Sequence, residues 1–164
     1  MNKQENLIKL LKEKAGTKQK VFQITKDVFA QIQDVLVELV DKLNKKISDP
    51  KINILYKESG DFDAKIKFSG DTLLFNMHTN IFDFNSEHKI HKSNYVKEDT
   101  SRSFCGIINI YNFLSDSLKY NRLNDVGFLI ARIFINKDRN FFVEGEGQLG
   151  FLFSDFTNQS MNKE

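Results

Sequence analysis

Phe62-Asp63-Ala64-Lys65-Ile66-Lys67-Phe68 alternates apolar and charged residues without a break. A period of two sends successive side chains to opposite faces, so the stretch reads as a strand with one dry and one wet face. It is bounded by two near-identical triplets, Ser59-Gly60-Asp61 and Ser69-Gly70-Asp71. Glycine reaches positive φ at little cost, so both triplets predict tight turns. Upstream, Ile52, Ile54 and Tyr56 alternate with Asn53 and Lys57. Downstream, residues 72–78 repeat the pattern and 81–84 extend it. Strands joined by such turns make an antiparallel meander.

The pattern resumes after a polar stretch. Residues 104–113 predict a strand, and 127–135, the most apolar segment, predict a central strand buried on both faces. Asn136-Lys137-Asp138-Arg139-Asn140 is a turn, and Phe141-Phe142-Val143-Glu144 returns antiparallel. Gly145 and Gly147 predict a bulge or bend, and 148–153 a last strand. About seven strands result.

Before residue 50 the period is 3.6. Leu7, Ile8, Leu10 and Leu11 predict a first helix over 3–14, with Gly16 as its stop. Val28, Ile32, Val35, Leu36, Leu39, Val40 and Leu43 predict a second, which starts at Thr17 or, if Val21-Phe22-Gln23-Ile24 is a strand, at a Thr25 cap. The longer choice gives a helix of about 43 Å at 1.5 Å per residue, which overhangs a typical sheet and invites a helix partner. Asp49-Pro50, the only proline, ends the helical region. Helices first and strands after are the order of an α+β fold. The 164 residues read as a single domain: a helical region over 1–48, an antiparallel sheet over 51–156, and a frayed tail over 157–164.

Composition narrows the function classes. A net charge of +2, with only four arginines, argues against a nucleic-acid binder, which shows a basic stripe and a higher pI. No apolar run approaches the length of a membrane span. The N-terminal segment lacks the apolar core and cleavage site of a signal peptide. Six lysines face two glutamates in residues 1–20, but no aromatic anchor accompanies them, so this helix reads as solvated and not as a membrane-surface helix. The lone Cys105, in apolar surroundings, reads as a buried inert thiol in a reducing, cytoplasmic compartment. Sixteen phenylalanines and no tryptophan predict a phenylalanine-rich core.

Two clusters carry candidate chemistry. His78, His88 and His91 lie within fourteen residues, with Asp83 and Glu87 among them. Imidazoles with a carboxylate suit zinc, and His88 and His91 converge if the loop makes a helical turn. The spacing matches no zinc signature, and the plainer reading is three unrelated polar residues, two of them solvated in the long polar stretch 85–103. No cofactor is implied.

The second cluster is polar residues within apolar strands. Arg132 interrupts the 127–135 segment. With a three-residue loop Lys137-Asp138-Arg139, it lies opposite Glu144. Asn109 and Tyr111 share one face of their strand. Asn109, Tyr111, Arg132 and Glu144 therefore define a candidate ligand pocket, with a structural Arg132–Glu144 ion pair as the plainer alternative. The connection 116–125 is either a ligand rim or a turn-rich loop. Glu144-Gly145-Glu146-Gly147 is not a nucleotide loop, and no Gly-x-Ser-x-Gly, His-Glu-x-x-His or Cys-x-x-Cys occurs. The chain reads as a non-enzymatic binding or protein-interaction module. A protein partner or a second copy is the first expected ligand, a small molecule bound or turned over at Arg132 and Glu144 the second, a metal at the histidines the third, and nucleic acid at the basic N-terminal helix the weakest.

Overall fold

A computed structural model describes residues 2–49, 51–122, 125, 127–156 and 160–162. Pro50, Leu123, Asn124 and the tail positions 157–159, 163 and 164 lie outside them. The expected proline stop, part of the 116–125 connection and most of the frayed tail fall on those positions.

The chain opens with α1 (Lys3–Leu10). Asn2 Oδ1 accepts the Gln4 N–H, and the Glu5 carboxylate accepts the Asn2 N–H, at 3.4 and 3.1 Å. This reciprocal cap satisfies donors that a first turn leaves free. Gly16 does not stop the helix. A π-helical turn, Leu11–Ala15, leads directly into α2 (Gly16–Lys46), and Gly16 takes ordinary helical angles. A glycine ends a helix only where the chain turns left-handed, and none is needed here. Thr17 Oγ1 instead donates to Glu13 O across the junction. Thr25 is buried mid-helix and donates to Val21 O, so residues 21–24 are helical and not a strand. The two helices run on as one rod of roughly 66 Å at 1.5 Å per residue. Among the described residues no helix is long and apolar enough to cross a membrane.

Seven strands follow: β1 (Ile54–Glu58), β2 (Asp63–Phe68), β3 (Asp71–Met77), β4 (Phe82–Asp83), β5 (Phe104–Leu114), β6 (Phe128–Asn136) and β7 (Phe141–Gly145). All pair antiparallel, in the order β1-β2-β3-β5-β6-β7, with short β4 beside β5 beyond the end of β3. The α+β expectation is met. At the second Ser-Gly-Asp turn the left-handed residue is Ser69 (φ 47°) and not the glycine, whereas Gly60 (φ 105°) carries the first. Residues 148–153 are not a strand. Gly147 turns left-handed, and a Cβ on Gly150 would sit 2.6 Å from Gly145 O. The chain therefore coils into a short helix, Leu149–Leu152, before Phe153 O accepts the Val143 N–H.

Alternation divides the sheet into two faces. One carries Ile54, Ala64, Ile66, Met77, Ile108 and Ile135 against Val28, Phe29, Leu36 and Val40 of α2, a mainly aliphatic core. The helix comes closest at Gly106, where an added Cβ would lie 1.9 Å from Thr25 Oγ1. Asn44 pins the helix end to β1 by bonding both the N–H and the C=O of Ile54.

The other face is only half covered, and the cover is the polar stretch read as a loop. Residues 89–103 form two 3-10 turns around a short helix, Asn94–Glu98. His88, Ser93 and Asp99 side chains cap the three pieces. Ile90 and Val96 turn inward onto Phe84, Phe134, Phe142 and Phe156. Several of the phenylalanines thus gather in this second core and not under the long helix. Ring centroids there lie 4.8–5.1 Å apart along Phe84–Phe134–Phe142–Phe156. The expectation that residues 127–135 are buried on both faces fails, because the cover stops short: Phe128 and Arg132 are exposed. In the tail, Ser160 bridges Asn140 and the Met161 N–H donates to Arg139 O.

Candidate functional site

Where the cover ends, the exposed middle of the sheet becomes the floor of a groove of about 550 Å³. Its floor is Ile107, Asn109, Tyr111, Arg132, Phe134 and Glu144. Its wall is His78, Phe82, Phe84, Asn85 and His88. All four residues proposed from strand alternation lie here, together with two of the three histidines. The volume falls within the 300–1,000 Å³ of small-ligand sites, which combine apolar walls with a few convergent polar groups.

The register explains the convergence. Asn109 lies directly opposite Arg132, and Arg132 opposite Glu144, as the three-residue loop requires. The register shifts between Ile110 and Tyr111, where β6 carries one extra residue, Ile130, and so bulges beside Tyr111 on the floor. The expected Arg132–Glu144 ion pair does not form. Glu144 Oε1 instead lies 4.0 Å from His88 Nε2. Among the described residues no carboxylate lies within ion-pair distance of Arg132. An exposed pair contributes only about 0–1 kcal/mol, so hydration of the guanidinium competes with it readily.

The histidines have separate tasks. His88 Nδ1 accepts the Ile90 N–H, which leaves Nε2 to carry the ring proton on the side of Glu144. Its ring stacks on Phe84 with centroids 4.5 Å apart. His91 Nε2 donates to Phe84 O at 3.2 Å. His78 Nδ1 accepts the Asn80 N–H at 3.0 Å. The pair expected to converge, His88 and His91, is turned to different partners. Among the described residues, no three His, Cys, Asp or Glu side chains gather as a metal would need.

A polar clamp ties the cover to the turn between β6 and β7. Buried Asn136 accepts the N–H groups of Asp138 and Asn140 at 3.0 and 3.1 Å and donates to the Tyr95 hydroxyl at 3.1 Å. Tyr95 donates to Asp138, which also accepts from Arg102 Nε at 2.9 Å. The Arg102 guanidinium lies 4.1 Å over the Tyr95 ring. Lys137 pairs with Asp99. Burial pushes the Tyr95 phenol up to about 12, and its bond to Asp138 adds to the shift. The Lys137 ammonium, with Ser101, holds Asp99 down at about 2. None of this clamp was singled out from sequence; its one visible trace is the pair of asparagines that brackets Lys137-Asp138-Arg139. Cys105, fully buried, has its thiol pKa raised by burial and by nearby Asp83, as its apolar setting implied.

A cavity of about 330 Å³ lies on the far side of His88, over Tyr95, Phe142 and Phe156. It belongs to the packing of the cover and gathers fewer of the polar groups singled out from sequence. The described residues of the 116–125 connection do not line the groove; it begins with a short helix, Ser115–Lys119, and Ser117 donates to Asp125 at 2.5 Å. Comparison with protein-family models, known proteins and solved structures finds no match to this chain.

Proposed function

We propose that this chain is a non-enzymatic binding protein, and that its groove takes a small ligand with an apolar or planar body and one anionic group. The observation that carries the reading is Arg132: a guanidinium on the groove floor whose cross-strand neighbour Glu144 faces His88 instead. A guanidinium offers a planar fork of donors matched to a carboxylate or phosphate. Asn85 and Asn109 supply further hydrogen bonds, and Phe82, Phe84 and Phe134 supply apolar wall.

The test is a thermal-shift and calorimetry screen of small carboxylates and phosphates, run on the wild type, Arg132→Met and Glu144→Gln. A binder is expected to lose at least tenfold affinity in Arg132→Met, since hydrogen bonds to a charged group contribute about 1.5–3 kcal/mol. Glu144→Gln removes a nearby negative charge and is expected to strengthen the same ligand. Equal binding by all three proteins, or none by any, ends the reading. The protein-partner reading rests on a different part of the molecule, the N-terminal arm of the long helix.

A further inference from the structure

The long helix is held by the sheet over only part of its length. Its first buried residue is Val21, and every described residue from Asn2 to Gly16 is exposed. Leu7, Ile8, Leu10 and Leu11 on this arm are 52–56% exposed. The folded chain exposes 10886 Å², against roughly 8,400 Å² for a compact monomer of its mass. The excess is larger than the roughly 800 Å² that each partner contributes to a stable interface. The arm extends a helix that the sheet-packed part of α2 already nucleates, so what it lacks is a surface on which to bury its leucines.

Charge and apolar pattern identify what fits. Residues 3–20 carry six lysines and two glutamates. Residues 27–41 of the same helix carry four acids (Asp27, Asp34, Glu38 and Asp41) and no lysine or arginine. That acidic stretch also exposes Val35 and Leu39, one turn apart, at 40% and 42%. Beside Val35 opens a pocket of about 200 Å³ lined by Val28, Ile32, Leu36 and Met161. A helix that is basic at one end and acidic further along complements itself when two copies run antiparallel.

We propose that the protein is a homodimer in which the basic arm of each copy lies antiparallel along the acidic 27–41 segment of the other. Two equivalent contacts form, as two-fold symmetry demands. Leu11 and Leu7 of the arm meet the Val35–Leu39 strip, and in the same register Lys9 and Lys12 meet Glu38 and Asp34. The proposal is independent of the groove reading, and its test leaves the groove untouched.

Sedimentation equilibrium of the wild type across a dilution series is expected to give twice 19.1 kDa, with dissociation favoured by added salt. Two reversed variants make the test specific: Lys9→Glu with Lys12→Glu, and Asp34→Lys with Glu38→Lys. All four positions are exposed, so folding is expected to persist by circular dichroism. Each variant alone sets like charge against like and is expected to be monomeric. Mixed in equal amounts they restore both contacts, and a heterodimer is expected. A monomeric wild type at every concentration overturns the proposal. So does a dimer that both variants retain, or a mixture of the variants that stays monomeric.

Discussion

Gly106→Ala tests how the long helix is seated. Gly106 is buried in β5, and its missing side chain is the space that Thr25 occupies. A Cβ built there would lie 1.9 Å from Thr25 Oγ1 and 2.6 Å from both Thr25 Cβ and Cγ2. No rotamer of Thr25 relieves the contact with its own Cβ, so the helix must lift from the sheet or the strand must bend. Overpacking of this kind typically costs 1–3 kcal/mol, and a clash with three atoms belongs at about 3 kcal/mol. In a chain of this length about 3 kcal/mol lowers Tm by roughly 6–12 °C. Urea unfolding of the wild type, Gly106→Ala, Thr25→Gly and the double variant completes a cycle. Thr25→Gly alone is expected to destabilise through helix propensity and lost packing, but it opens the space. The double variant is therefore expected to be more stable than additivity predicts, by about 2 kcal/mol. Additivity to within about 0.5 kcal/mol, or a Gly106→Ala protein as stable as the wild type, would refute the close seating.

Two further outcomes bear on the clamp. Asn136→Ala strips two backbone N–H groups and a tyrosine hydroxyl of their partner; these groups are only partly buried, so each is expected to cost about 1 kcal/mol, the low end of the range for an unsatisfied group, and the whole about 3 kcal/mol, read by urea unfolding, and a loss below about 1 kcal/mol would show that water substitutes freely. Asp99, held at about 2 by Lys137 and Ser101, ionises more readily folded than unfolded. Its contribution to stability is present above the ordinary carboxylate range and is lost as pH falls from about 4 towards 2. Asp99→Asn is expected to flatten that part of the stability–pH profile, and an unchanged slope would count against the pairing.

Strand alternation at Phe62–Phe68, the two Ser-Gly-Asp turns and the helical spacing of Val28–Leu43 made the α+β class legible, because periodicity records which side chains face the core. Cross-strand register was legible where a short loop fixes it, which is why Arg132 could be placed opposite Glu144; Asn109 and Tyr111 joined them only through the strand face they share. Gly16 and residues 148–153 carry local signals of a stop and a strand that the backbone overrode: Gly16 takes ordinary helical angles in an exposed stretch, and the left-handed turn at Gly147 leads into a short helix. Of the two starts open for the second helix, the longer one holds, because buried Thr25 sits mid-helix and bonds Val21 O.

What the sequence by itself determined is therefore the order of elements, the two faces of the sheet and the residues that share one. What only the tertiary structure decided is which face is covered and how far. The cover, residues 84–103, is polar in composition and shows no period. Its few apolar residues, Phe84, Ile90 and Val96, become a core only because β6 and β7 present Phe134 and Phe142 beneath them. The edge of that cover makes the groove and turns His88 towards Glu144, leaving Arg132 on the floor with no carboxylate partner among the described residues. The physical reason is that periodicity is a local average, whereas a groove is a boundary between two packed surfaces distant in sequence.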